Sequence, residues 1–174
     1  DGKKVHAATG GRQPSNDEPT VLFIHGAGMD RTAWQLQTRN VAHSGARVIA
    51  VDLPGHGRSE GPPLQSIAEM ADWVALFMDA SGTDSAIVIG HSMGALIALE
   101  VAARHPLKVN KLVLIGVAEK MPVHADLLAA AKANQPLGPE LIVFWGLGNN
   151  SQVGGHRQPG LWVQGASKTL LMLS

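Results

Sequence analysis

The residues best placed to do chemistry lie between Ala86 and Leu99, which read Ala-Ile-Val-Ile-Gly-His-Ser-Met-Gly-Ala-Leu-Ile-Ala-Leu. A short β-branched run (Ile87, Val88, Ile89) meets Gly90-His91-Ser92-Met93-Gly94 and continues as an Ala/Leu helix. This is a G-x-S-x-G pattern in a strand–turn–helix context. A serine on so sharp a turn leaves no room for a Cβ two residues before or after it, and Gly90 and Gly94 supply that room. The turn lifts the Ser92 hydroxyl above the sheet at a helix N-terminus, where backbone N–H groups and the helix dipole favour negative charge. Nucleophilic attack by the hydroxyl, with an oxygen anion developing beside it, is the chemistry such a serine offers.

Composition excludes several other chemistries. There are no cysteines, so disulfides, thiolate nucleophiles and cysteine zinc sites are ruled out, while the compartment stays open with the cytoplasm slightly favoured. Scattered histidines without a His-x-x-x-His or acid-rich helical pairing point to no metal and no cofactor. Lys+Arg and Asp+Glu are each 14, which gives no basic surface for nucleic acid. No apolar run reaches the length of a membrane span. The 174 residues suffice for a domain with a real core.

The elements that must position Ser92 alternate. A short strand is expected around Lys4–Ala8, then turns through Gly10-Gly11 and Pro14–Pro19. Val21–Ile24 reads as a strand ending in His25-Gly26-Ala27-Gly28, followed by a helix around Thr32–His43. Arg47–Val51 is the next strand, ended by Asp52-Leu53-Pro54-Gly55-His56-Gly57-Arg58-Ser59. Ser66-Ile67-Ala68-Glu69 has the capping-box form and opens a helix running to Ala80. The Ser92 unit comes next, its helix ending before His105-Pro106, and Lys111–Ile115 is a further strand. Strands apolar on both faces, alternating with helices, predict an α/β fold: a mostly parallel sheet covered by helices on two sides. In such a sheet functional residues gather at the carboxyl ends of the strands, where all three glycine-bearing loops fall. Beyond Glu119 the rhythm stops. Asp126–Ala133 looks helical, Leu141–Trp145 is strongly apolar, Gly146–Gly160 reads as loop and Leu161–Leu173 as a helix.

His25-Gly26-Ala27-Gly28, Asp52-Leu53-Pro54-Gly55-His56-Gly57-Arg58-Ser59 and Gly90-His91-Ser92-Met93-Gly94, in that order, resemble the α/β-hydrolase superfamily. Ala102-Ala103-Arg104-His105-Pro106 leading to Lys111–Ile115 resembles it too, so the likeness runs from about Val21 to Gly116. The resemblance implies residues 1–118 as hydrolase core and 119–174 as the start of a helical cap. It implies a serine hydrolase, of the carboxylic ester type, acting on a small, largely apolar acyl compound through an acyl-enzyme. Ser92 would be the nucleophile, and the backbone N–H groups of Ala27 and Met93 the oxyanion hole. Serine at this position, where dehalogenases and epoxide hydrolases of the same architecture carry aspartate, favours esters, thioesters, lactones, amides or activated C–C bonds. Two alternatives stay open on the same fold: a non-catalytic ligand-binding or receptor module, and a cofactor-free perhydrolase or haloperoxidase.

The family's chain order is Ser, then Asp or Glu, then His. No convincing strand follows Ile115 to carry the acid, which leads to the expectation of an N-terminal portion lacking at least two strand–helix units, on the order of 60 residues or more. An apolar last strand would otherwise leave an exposed edge, so the remainder of the chain or a partner chain is expected to complete the sheet. Glu119, with His124 or His156 as base, is the alternative acid–base pair within these residues. His25 and His56 read as hydrogen-bonders holding their loops, His91 as a packing residue and Asp52 as the brace of its turn. Leu127, Leu128, Val143, Phe144 and Trp145 are candidates for an apolar acyl or aryl pocket.

Overall fold

The apolar runs pair as the alternation requires. The computed structural model describes residues 2–15 and 17–146. In it the chain forms β1 (Ala7–Ala8), β2 (Thr20–Ile24), α1 (Gln35–His43), β3 (Arg47–Val51), α2 (Ile67–Ala80), β4 (Ala86–His91), α3 (Met93–Arg104), β5 (Val109–Ile115), α4 (Ala125–Lys132) and α5 (Leu137–Gly146). Two units result, Asp1–Ala118 and Glu119–Ser174.

The first unit holds a five-stranded sheet in the order β1-β3-β2-β4-β5. β2 to β5 run parallel, and β1 lies antiparallel on β3. From β2 the chain passes to β3 on one side, then returns past β2 to reach β4 on the other. Because such crossovers are right-handed, the reversal sends α1 and α2 to opposite faces. The side chains of β2 record this division. Val21 and Phe23 pack with Trp34 and Ala42 on one face, while Leu22 and Ile24 pack with Met70, Val74, Met78 and Ile97 on the other. Each such side chain contributes about 1.5–3 kcal/mol when fully buried. The carboxyl end of β2 is thus the switch point of the sheet, the position where open α/β sheets bind ligands.

The expected strand at Lys4–Ala8 is shorter than its sequence span. Only Ala7 and Ala8 join the ladder, opposite Val51 and Ala50. β3 ends at Val51, so the preceding residues pair with the loop beyond it. His6 O accepts from Asp52 N (2.9 Å) and Lys4 O from Glu60 N (2.9 Å). His6 N donates to Ser59 Oγ (3.0 Å). The helix expected from Thr32 opens instead as a 3-10 turn over Arg31–Trp34, capped by the Asp30 carboxylate accepting from Thr32 N (2.7 Å). Trp34 turns into the core against Phe23, with ring centroids 5.0 Å apart.

α2 starts where the sequence places it. Ser66 Oγ accepts from Glu69 N (3.1 Å), and the Glu69 carboxylate reaches back to Gln65 N (2.9 Å), one residue before the usual partner in a capping box. Asp72 on α2 ties this helix to the end of α3, pairing with Arg104 and His105, each at 2.7 Å. Hydrogen bonds from Arg104, then His105, hold its carboxyl down at about 2.

β5 departs from the expectation of burial on both faces. Among the described residues it pairs only with β4, and Val113, Leu114 and Ile115 are 40%, 37% and 43% exposed. In the second unit, α4 is capped by His124 Nδ1, which accepts from Asp126 N (3.3 Å). The chain reverses at Asn134, whose φ of +49° is tolerated by asparagine, and the apolar Leu141–Trp145 stretch becomes the second half of α5. The expected loop at Gly146–Gly160 and helix at Leu161–Leu173 lie, apart from Gly146, outside the described residues.

Replacing Ser66 by alanine removes the α2 cap and is expected to lower the unfolding free energy by about 1 kcal/mol. Urea titration checks this as a lower midpoint at unchanged slope.

Candidate active site

Ser92 sits between β4 and α3 with φ +54° and ψ −120°, a conformation that L-residues rarely adopt. Crowding explains how the turn is held. A Cβ on Gly90 would overlap the Gly94 carbonyl, and one on Gly94 would overlap the carbonyls of Ile24 and His25 at the end of β2. The two glycines therefore let the first turn of α3 rest on backbone. Ser92 N donates to Ile115 O of β5 (2.9 Å), which fixes the turn from the other side.

Ser92 occupies the cap position of α3, but its side chain makes no capping bond. The first bonds of the helix run from Ala95 N (2.9 Å) and Leu96 N (3.3 Å) to Ser92 O. The amides of Met93 and Gly94 precede them, among the orphan donors that a helix start presents. Among the described residues the Ser92 hydroxyl has no hydrogen-bond partner, and the side chain is half-buried.

The loop after β2 lies against this turn. An ideal Cβ on Gly26 would be 3.4 Å from Ser92 Cβ. Met29 N closes the loop on Gly26 O (3.3 Å), leaving Ala27 exposed with its N–H unpaired among the described residues. His25 determines how that peptide is oriented. Leu53 N donates to His25 Nε2 (3.2 Å), so the ring proton is on Nδ1, which donates to Gly26 O (2.9 Å). The Gly26 carbonyl and the Ala27 N–H belong to one planar peptide, and holding the first aims the second. The ring is fully buried, and desolvation pushes its pKa from 6.5 down to about 4.

Asp52 braces the neighbouring loop. Fully buried, it accepts from Arg31 N (2.7 Å) and Arg58 N (3.0 Å) and pairs with the Arg31 guanidinium. Gly57, at φ +55°, leaves space for the carboxylate. The sequence reading identified Asp52 but missed Arg31. A fully buried carboxylate needs a cation, but both the burial of Asp52 and the nearness of Arg31 follow from the pairing of β2 with β3 and are not written in the sequence around either residue. His56 Nδ1 bonds Pro54 O within its own turn (3.0 Å).

Of the alternative acid and bases, Glu119 and His124 belong to the second unit. Glu119 is exposed at the start of the second unit, with no hydrogen bond or ion pair among the described residues. His124 caps α4 and lies against Trp145, with ring centroids 5.0 Å apart. His156 lies outside the described residues. No group of three or more His, Asp or Glu among the described residues could hold a metal ion.

A sequence profile described as alpha/beta hydrolase fold matches residues 19–161. The chain belongs to this family. As an α/β-hydrolase it is 44% identical over 98 residues to the dihydrolipoyllysine-residue acetyltransferase component of the acetoin cleaving system of Cupriavidus necator, a match spanning 55% of this chain and 26% of that protein. It is 38% identical over 102 residues to the pimeloyl-[acyl-carrier protein] methyl ester esterase of Aromatoleum aromaticum, covering 58% of this chain and 38% of the esterase. Among solved structures it is similar to Est816, described as an N-acyl homoserine lactone degrading enzyme, with TM-score 0.77, 25% identity and coverage of 99% of this chain and 64% of that one. The chain therefore spans well under half the length of these two curated relatives.

The neutral His25 predicts a pH dependence for this α/β-hydrolase. The unfolded chain takes up a proton near pH 6.5 that the folded chain refuses until about 4. Stability is expected to be complete above pH 6.5 and to fall as pH drops toward 4, by up to roughly 3 kcal/mol from this group. Denaturant titrations at several pH values, with and without His25→Gln, measure it; the variant should lose that pH slope.

Proposed function

We propose that the protein is a serine hydrolase in which Ser92 attacks the carbonyl of a small, largely apolar ester or related acyl compound and becomes transiently acylated. The observation that carries this reading is the strained turn at Ser92. It presents an unpaired hydroxyl at the start of α3, against the loop of Ala27. Attack forms a tetrahedral carbon whose oxygen gains negative charge. The N–H groups of Met93 and Ala27 are the donors assigned to it, one from the helix start and one from the peptide aimed by His25. Loss of the leaving group gives the acyl-enzyme, and water then releases the acid.

Serine is a weak nucleophile unaided and needs a general base. Among the described residues no histidine bonds Ser92: His25 holds Gly26 and Leu53, and His56 holds Pro54. The reading therefore assigns the base to a histidine outside residues 2–146. The names of the esterase and lactone-degrading relatives support ester-type substrates. Exposed Leu128 and Trp145 in the second unit support an apolar one. The open, apolar edge of β5 supports a further strand pairing there, from elsewhere in the same polypeptide or from another chain.

A fluorophosphonate probe is expected to label the whole protein at Ser92, and p-nitrophenyl esters of short acids to be turned over. Ser92→Ala should abolish labelling and lower kcat on the order of 10⁴- to 10⁶-fold. Folded protein that is never labelled at Ser92 would overturn the proposal.

A further inference from the structure

His91 precedes the serine and closes β4, opposite Ile115 of β5. Alternation along the strand puts its ring on the face of Ile87 and Ile89, the face packed with Phe23 and Trp34. The ring lies between two stretches of chain that carry no side chain. An ideal Cβ on Gly26 would be 3.2 Å from His91 Nδ1, and one on Gly116 would be 3.4 Å from Cδ2 and Nε2. The Trp34 ring meets it edge-on, with centroids 6.5 Å apart at 84°. Neither ring nitrogen makes a hydrogen bond among the described residues; the ring occupies room that a side chain at position 26 or 116 would crowd.

The two glycines belong to the two supports of the Ser92 turn. Gly116 follows Ile115, whose carbonyl accepts the Ser92 N–H. Gly26 precedes Ala27 and packs toward Ser92 Cβ. We propose that His91 is a positioning residue: its imidazole is a spacer filling the room beside Gly26 and Gly116, setting the distance of the Ala27 loop from the Ser92 turn. The inference rests on the reading of Ser92 as nucleophile and adds what keeps the two assigned N–H donors in register. With the ring removed, the loop is free to close into the gap. Displacement of a catalytic group by about 1 Å costs up to about 10²-fold in rate.

The experiment compares His91→Ala with His91→Gln, which keeps much of the reach and volume of the side chain without an ionisable ring. In the whole protein His91→Ala is expected to lower kcat for a p-nitrophenyl ester, and the rate of fluorophosphonate labelling, by about 10- to 100-fold. KM should stay within about twofold, as expected when a transition-state interaction is lost. His91→Gln should recover most of the loss and leave the pH profile as in the parent. Amide hydrogen exchange over residues 25–29 should speed up in His91→Ala and return toward the parent in His91→Gln.

A folded His91→Ala with parental kcat and parental exchange would overturn the spacer. So would a His91→Gln as impaired as His91→Ala with an altered pH profile, because that outcome assigns the ring a proton-handling role. If the parent is never labelled at Ser92, the nucleophile reading fails by itself, and the exchange comparison still decides whether His91 holds the loop. If His91→Ala does not fold, His91→Gln against the parent decides it, with parental exchange and kcat expected of a spacer.

Discussion

Main chain pressed on main chain is the constraint on which this molecule depends. At Gly94 the first turn of α3 lies on the carbonyls of Ile24 and His25, closer than any side chain allows. At Gly90 the last residues of β4 lie equally close to the Gly94 peptide. These contacts bring the end of β2, the end of β4 and the start of α3 to one place. A methyl group at either position would lever the helix off the sheet, and the dihedrals of Ser92 would lose the packing that enforces them. The hydroxyl is presented because its surroundings are too crowded for anything else.

Around that contact, the buried Asp52 and His25 side chains are satisfied by the loops themselves, whereas Trp34 Nε1 is buried without a hydrogen-bond partner among the described residues. Asp52 accepts two backbone N–H groups and a guanidinium with no exposure to water. His25 joins the loop after β3 to the loop after β2 through both ring nitrogens. In a low-dielectric interior an unsatisfied group is costly, so each bond also restricts where its loop can sit. The loops at the carboxyl end of the sheet are therefore extensions of the buried core.

The fold was legible wherever one physical signal dominated. Apolar runs of strand length gave β2, β3 and β4 to within a residue or two, and Ser66-x-x-Glu69 gave the start of α2. The spacing of Gly90 and Gly94 about Ser92 revealed the turn, because only steric exclusion demands that pattern. Failures occurred where tertiary pairing decides. Nothing in Lys4–Ala8 says that β3 stops at Val51. Arg31 as the partner of Asp52 needed the sheet order, which brings their loops together. The place of His91 beside Gly26 and Gly116 needed it as well, since those glycines are distant in sequence and are brought to it through β2, β4 and β5. An acid–base pair is defined by proximity, about which periodicity carries no information; of the alternative pair, His156 lies outside the described residues and Glu119 in the second unit.

Among the described residues only Ser92 and Asn134 combine a side chain with a positive φ. Asparagine tolerates its position, whereas a serine at φ +54° and ψ −120° carries strain of about 1–3 kcal/mol. Glycine would adopt the same turn freely. The core would thus gain stability by giving up the hydroxyl, and the serine stands against the preference of its own fold. Conformational preference and the presented hydroxyl are opposed at this single residue, and the burial of Leu22, Ile24, Val88 and Ile97 in the same unit offsets the strain.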